Sequence, residues 1–315
     1  MIPNSEGLGN LSDEQRIIAC TREIFLPRQV AMQAIESYKK LLSLPRMSYN
    51  SGMSIKARSG QGKSTIGAWI AKQSCAPNSD WPGKVIYIDL ARNAANLDLT
   101  KLLLMEIGLQ FHPDNRPLNK SYREVAMAEK LIRENNVRGA FLDEAPMLFR
   151  ALSSKRLEIE LGAIKGFSGI NWAMNVCLSG DPDQLDDLFR ADTTISTRFN
   201  LRTAKLPPLK YDKSFYAFVS GFVDLMPLKQ MSIIDKAFCK KLLELSRKTL
   251  ITDATKEVYS PLRTIIEILR EASMLAIISG DEYLNCESLE RAFYVLQHSV
   301  DTEVYVRKYS VVGSD

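Results

Sequence analysis

Eight consecutive residues carry the clearest chemistry in the chain: Ala57-Arg58-Ser59-Gly60-Gln61-Gly62-Lys63-Ser64. They fit the phosphate-binding pattern G-x-x-x-x-G-K-[ST], with Ala57 standing at the first glycine. Gly60 and Gly62 accept backbone angles that side chains resist. Successive N–H groups from Ser59 to Ser64 can therefore turn inward as a nest for phosphate oxygens. A helix opening at Ser64 adds the positive end of its dipole. Lys63 is placed to reach the β- and γ-phosphates of ATP, Ser64 to ligate Mg²⁺, and Thr65 to offer a second hydroxyl. The plain alternative is a chance glycine turn ahead of a helix. A strand expected over Met53–Ala57 and a helix from Ser64 to about Gln73 argue against it.

A second set ends an apolar run, Ala140-Phe141-Leu142, that reads as a buried strand. Two adjacent carboxylates follow. Asp143 is placed to orient the magnesium ion or its water. Glu144 is placed to accept a proton from an attacking water. Taken alone, the pair also reads as a helix start with Asp143 as cap. Beside a phosphate loop, it favours a hydrolase over a small-molecule kinase. A third strand, Asn175–Ser179, ends in Ser179, a candidate for sensing the γ-phosphate or positioning water. A strand that simply ends in a turn fits there nearly as well. Arg198, in Thr197-Arg198-Phe199, is a candidate finger toward a neighbouring subunit's nucleotide. A surface arginine beside a core phenylalanine is the plainer reading.

These residues need elements to hold them. Apolar spacing of three and four predicts a helix over Arg28–Leu42, and further helices are expected near 99–111, 121–135 and 155–165. Lys84–Asp89 is a further buried strand. Strand and helix alternate, so the fold class is α/β, a parallel sheet covered on both faces. After Leu206-Pro207-Pro208 the pattern becomes helical, near 212–225, 235–247, 262–278 and 287–299, with no strand expected before the last residues. The expected organisation is an N-terminal extension and helix (1–45), an α/β nucleotide-binding domain (46–206), a helical lid (207–300) and a tail (301–315).

Composition narrows the classes. Hydrophobic residues make 45% and charged residues 25% of 315, as in an ordinary globular protein and unlike a disordered one. No apolar run approaches the roughly 20 residues of a membrane span. The N-terminus lacks the basic-then-apolar pattern of a signal peptide. Five widely spaced cysteines suit reduced thiols in the cytoplasm. The net charge of +4 permits nucleic-acid binding without demonstrating it.

In order, the 57–64 loop, Leu142-Asp143-Glu144-Ala145, Ser179-Gly180, Thr197-Arg198-Phe199 and the C-terminal helices resemble an AAA+ P-loop ATPase of the initiator-like clade. More closely, the chain resembles the TniB/TnsC transposition regulators of Tn7-like and related transposons. Leu26-Pro27-Arg28, Leu44-Pro45-Arg46-Met47, Leu225-Met226-Pro227-Leu228 and Pro261-Leu262-Arg263 carry the closer likeness. The resemblance implies an ATPase with Phe25 and Leu26 near the adenine and Arg263 as a second sensor. It implies a homo-oligomer, a ring or helical filament, around double-stranded DNA. Such an assembly links a TniQ-like target-selection protein to the transposase and comes apart on hydrolysis.

It further implies DNA contacts along an inner surface, with Arg92, Lys101, Arg116, Lys120 and Arg123 as candidates and Asn93 in support. Cations there would track phosphates in a sequence-tolerant, salt-sensitive way. Solvated surface charges are the plainer reading of each. Two other functions stay open: a helicase loader or replication initiator, and a nucleotide-gated scaffold with little hydrolysis.

Overall fold

The computed structural model describes residues 11–92, 97–251 and 256–298, the side chains of Ile251 and Lys256 excepted. Asn93 and the 301–315 tail lie outside the described residues. The chain divides into two compact units. One is continuous, Gln29–Pro207. The other combines the residues up to Arg28 with those from Pro208 onward. The 1–45 segment, expected as one extension, therefore divides at Arg28. Its first part is α1 (Asp13–Cys20), which starts on a Ser12/Gln15 capping box.

The continuous unit opens with α2 (Gln29–Leu42), whose buried stripe is Ala31, Ala34, Ile35, Tyr38, Leu41 and Leu42. Then follow β1 (Met53–Lys56), α3 (Lys63–Ser74), β2 (Lys84–Asp89), α4 (Leu99–Phe111), α5 (Tyr122–Glu134) and β3 (Val137–Asp143). After these come α6 (Met147–Ala151), α7 (Ser154–Phe167), β4 (Asn175–Gly180), α8 (Pro182–Ala191), α9 (Thr193–Phe199) and β5 (Thr203–Lys205). The strands form one sheet, ordered β2-β3-β4-β1-β5, with every neighbour parallel. Parallel strands buried on both faces need continuous apolar runs, and β1 and β4 are buried at every position. All carboxyl ends share one edge, with Asp89 level with Asp143 and Ile55 level with Ser179. β5 was not foreseen: three residues are too short to show a period.

Gly67 sets how closely α3 approaches the sheet. A Cβ there would sit 2.5 Å from the Phe141 ring. Phe141 is fully buried, and burying such a side chain stabilises by about 1.5–3 kcal/mol. That contact holds the start of α3 over the ends of β1 and β3.

The second unit continues with α10 (Lys213–Val223), α11 (Lys236–Leu245), β6 (Lys248–Ile251), β7 (Lys256–Tyr259), α12 (Leu262–Ser279) and α13 (Cys286–Gln297). The β6–β7 antiparallel hairpin corrects the expectation of helices alone after residue 207. Phe218, Phe222, Phe238, Leu242, Ile268, Leu269 and Leu289 build the core, and Cys20 of α1 is buried among them. Arg16 is fully buried. It donates to both Glu282 carboxylate oxygens at 2.6 Å, to the Pro227 carbonyl at 2.9 Å and to Asp13 at 2.7 Å. Arg270 donates to the Arg22 carbonyl at 2.6 Å. These bonds and the apolar contacts make 11–28 part of this unit. Among the described residues no helix is long and apolar enough to cross a membrane.

Candidate nucleotide-binding site

The loop between β1 and α3 takes the form its glycines allow. Gly60 has φ 75° and Gly62 φ 91°, both left-handed. Gly62 is also the N-cap of α3 and brings no side chain to cap it, so the first-turn amides remain orphan donors suited to an anion. Lys63, almost fully buried, donates to the Ala57 carbonyl at 2.9 Å. Its ammonium lies 3.7 Å from Glu144 Oε1. Gln61 is buried, whereas Ser64 and Thr65 are exposed on the first turn. Arg58, given no role by sequence reasoning, ties the loop down. It pairs with Asp181 at 3.1 Å and Asp183 at 2.8 Å at the start of α8.

Asp143 is the last residue of β3 and Pro146 the N-cap of α6, so Asp143 is not a helix cap. Glu144 holds φ 52°, a left-handed angle that costs a side-chain-bearing residue about 1–2 kcal/mol. This kink turns Glu144 back toward Lys63. Asp143 is buried and hydrogen-bonded at both oxygens. Ser179 Oγ donates to Oδ1, and Tyr87 donates to Oδ2 at 2.9 Å. Ser179 is itself fully buried, so here its hydroxyl orients Asp143 rather than lining open space.

Tyr87 is the residue that sequence reasoning missed. Burial, and then the Asp143 charge, push its phenol well above its ordinary value, so it remains a proton donor. Asp143 ends β3 and Ser64 stands in the first turn of α3 next to Lys63, whose ammonium reaches Glu144, so both oxygens lie at the same carboxyl-end edge of the sheet. Two hard oxygen donors converging this way fit Mg²⁺, which takes few protein ligands and keeps several waters.

Arg198 lies elsewhere on this unit. Its carbonyl accepts from the Gly52 amide, just before β1, so it belongs to the amino-end edge of the sheet. Residues 52 to 57 span roughly 16 Å at strand rise. The guanidinium donates to Ser168 Oγ at 3.1 Å and the Lys165 carbonyl at 3.3 Å, and covers the Tyr49 ring. The remaining nucleotide candidates sit in the helical unit. Leu26 packs against its core, Phe25 is half-buried, and Arg263 is exposed in the first turn of α12.

Of the DNA candidates, Lys101 and Lys120 meet at the start of α4, whereas Arg116 lies beside its far end at Gly108. Asp98 caps it through the Lys101 amide at 2.9 Å and pairs with Lys120 at 2.5 Å. Burial acts to raise the Asp98 carboxyl, and the bonds from Lys120 and the Lys101 amide outweigh it and hold it low. From α7, buried Glu160 accepts from the Leu99 amide at 2.8 Å. Arg116 pairs with Glu124 at 2.8 Å. Arg92, Lys101 and Arg123 are exposed, with no ion pair among the described residues. The Lys120 and Arg116 side chains remain about half exposed within these pairs, so a phosphate can approach both cations from solvent.

Solved structures share this fold. The Aeropyrum pernix ORC2 protein, solved as ADPNP–ADP complexes, superposes with a TM-score of 0.57 at 17% identity, over 88% of this chain and 71% of that one. The Aeropyrum pernix ORC1 protein in complex with DNA gives 0.60 at 13%, over 89% and 69%. Cdc6p from Pyrobaculum aerophilum gives 0.52 at 14%, over 90% and 70%. The fold is that of AAA+ P-loop proteins, as the sequence led one to expect. No curated protein matches the chain. The family described as "Bacterial TniB protein" matches residues 16–210, taking in the whole α/β unit. The chain belongs to the bacterial TniB protein family.

Proposed function

We propose that the chain is an ATP-hydrolysing regulator of DNA transposition. It assembles on double-stranded DNA as a homo-oligomer, links a TniQ-like target-selection protein to the transposase, and leaves the DNA on hydrolysis. The observation that carries this reading is the single carboxyl-end cluster of Lys63, Ser64, Asp143 and Glu144 in a TniB-family chain. The loop amides and Lys63 receive the phosphates of ATP. Ser64 and Asp143 would hold Mg²⁺, which would supply neutralising charge at the phosphate oxygens. Ser179 and Tyr87 keep the Asp143 carboxylate oriented. Glu144 accepts the proton of the attacking water. Arg198, out of reach of its own loop, serves a neighbouring subunit's site. Phe25, Leu26 and Arg263 keep the nucleotide-binding roles that the family resemblance implies. Arg92, Lys101, Arg116, Lys120 and Arg123 follow the DNA backbone.

A replication initiator or helicase loader is the second reading, favoured by the likeness to an ORC1 protein solved with DNA. Glu144→Gln tests the first. The amide cannot take the proton, so ATP binds, hydrolysis falls at least about a hundredfold, and DNA-bound assemblies persist in electron micrographs. Phosphate release at the wild-type rate would remove Glu144 as the base. Retention by the persistent assemblies of a helicase, and of no transposase, would favour the second reading.

A further inference from the structure

The amino-end edge of the sheet holds a second concave site. The lead-ins to β1 and β4 and the turn from α5 into β3 border an open cavity of about 490 Å³, lined by Arg46, Arg133, Asn136, Asn171, Met47 and Ile170 among others. Two guanidiniums therefore share one cavity, and that of Arg138 stands close behind. Arg46 donates to the Val137 carbonyl at 3.0 Å and Arg138 to the Leu44 carbonyl. The Arg138 Nε is buried without a partner. None of the three has a carboxylate partner among the described residues. Burial, and then the charges of Arg138 and Arg133, pull the Arg46 guanidinium below its ordinary value. Like charges gathered without a counter-ion, with Arg46 and Arg138 half-buried, are unfavourable unless something outside the fold supplies one.

The rim is apolar. Ile170 is 69% exposed and Met47 61%. Two wall residues, Asn136 and Ala173, hold left-handed backbone angles, φ 52° and 48°, the kind of strain that accumulates at binding sites.

We propose that this cavity docks a segment of a partner protein that carries carboxylates beside apolar side chains. Guanidiniums recognise carboxylates through paired N–H bonds, and Met47 and Ile170 give the neighbouring apolar side chains somewhere to be buried. A DNA phosphate would use the cations and leave that rim wet. The basic patch around Asp98 already stands at the other edge of the sheet, where α4 starts. The proposal does not depend on the role assigned to the nucleotide site.

The test uses the full chain and a short fluorescein-labelled peptide that alternates Glu with Leu and Phe. Its fluorescence anisotropy is followed on titration, beside a version with Gln in place of Glu. The acidic peptide is expected to bind about tenfold tighter than the Gln version. Arg46→Gln with Arg133→Gln should lose about tenfold of that affinity, while nucleotide affinity stays unchanged and reports an intact fold. Arg133→Gln alone, at an exposed position, should give a smaller loss and guards against a misfolded double variant. Absence of peptide binding, equal binding of both peptides, or an unaffected double variant would overturn the proposal. So would a duplex DNA that displaces the peptide and is itself weakened by the double variant, since the cavity would then be a DNA contact.

Discussion

Asp143 illustrates how much one buried carboxylate depends on neutral neighbours. Its two oxygens are held by Ser179 from β4 and Tyr87 from β2, the strands on either side of β3. Tyr87→Phe removes one of the two donors. Partners in this outer layer commonly change metal affinity by 10–100-fold. Because Ser179 still holds Oδ1, the expected loss is at the low end. The Mg²⁺ concentration for half-maximal nucleotide binding should rise about tenfold, read by fluorescent-nucleotide titration. An unchanged requirement would mean that Tyr87 only fills space. The motif residues were legible because each carries its chemistry in its type and spacing. Tyr87 was not, because its role depends on β2 lying beside β3, a long-range pairing that local sequence does not encode.

At the scale of elements, α4 is fixed at its start by two carboxylates of different kinds. Half-buried Asp98 caps it and couples it to Lys120, and buried Glu160 caps it from α7. Lys101 and Lys120 therefore flank one point. Lys101→Gln with Lys120→Gln should weaken DNA binding on unrelated sequences alike. The slope of log affinity against log salt should fall by about two. A loss confined to one sequence would contradict backbone tracking. Long elements of strong period were readable: α2 and α12 fall where apolar spacing of three and four places them. The β6–β7 hairpin was not, since Lys248-Thr249-Leu250-Ile251 and Lys256-Glu257-Val258-Tyr259 are four-residue strands between strong helical patterns. The Arg16–Glu282 pair was also unreadable, because 266 positions separate its members.

For the whole molecule, the buried Arg16–Glu282 pair governs the helical unit. Arg16→Met leaves the Glu282 charge without its main partner, and breaking a buried pair costs about 3–5 kcal/mol. Urea unfolding should show a loss of that size in the helical unit. A loss under about 1 kcal/mol would deny the pair this role. The Arg16 hydrogen bonds hold the Glu282 carboxyl below its ordinary value. Its stabilisation is therefore complete above a pH of about 4.3 and disappears as pH falls through the lowered folded value. A second test concerns assembly. Lys63→Ala removes the phosphate cation and Arg198→Ala the candidate finger, so each should be inactive alone. In a mixture, some interfaces pair an intact loop with an intact arginine, and part of the ATPase activity should return. Full activity of Arg198→Ala alone would sink the finger, whose removal should cost about 10³–10⁵ in rate.

The two-part helical unit also sets an order of events during synthesis. Residues 11–28 emerge early, yet their packing partners begin only at Pro208, after the whole of Gln29–Pro207 has been made. At about 5–20 residues per second, that interval is on the order of ten seconds or more. Throughout it, Cys20 and Leu26 have no core to enter and Arg16 has no carboxylate from Glu282. The α/β unit can close on the ribosome in that time, while the first helix waits as an exposed amphipathic stretch. A holding chaperone would meet the nascent chain there, and would have to let go before the last helix docks.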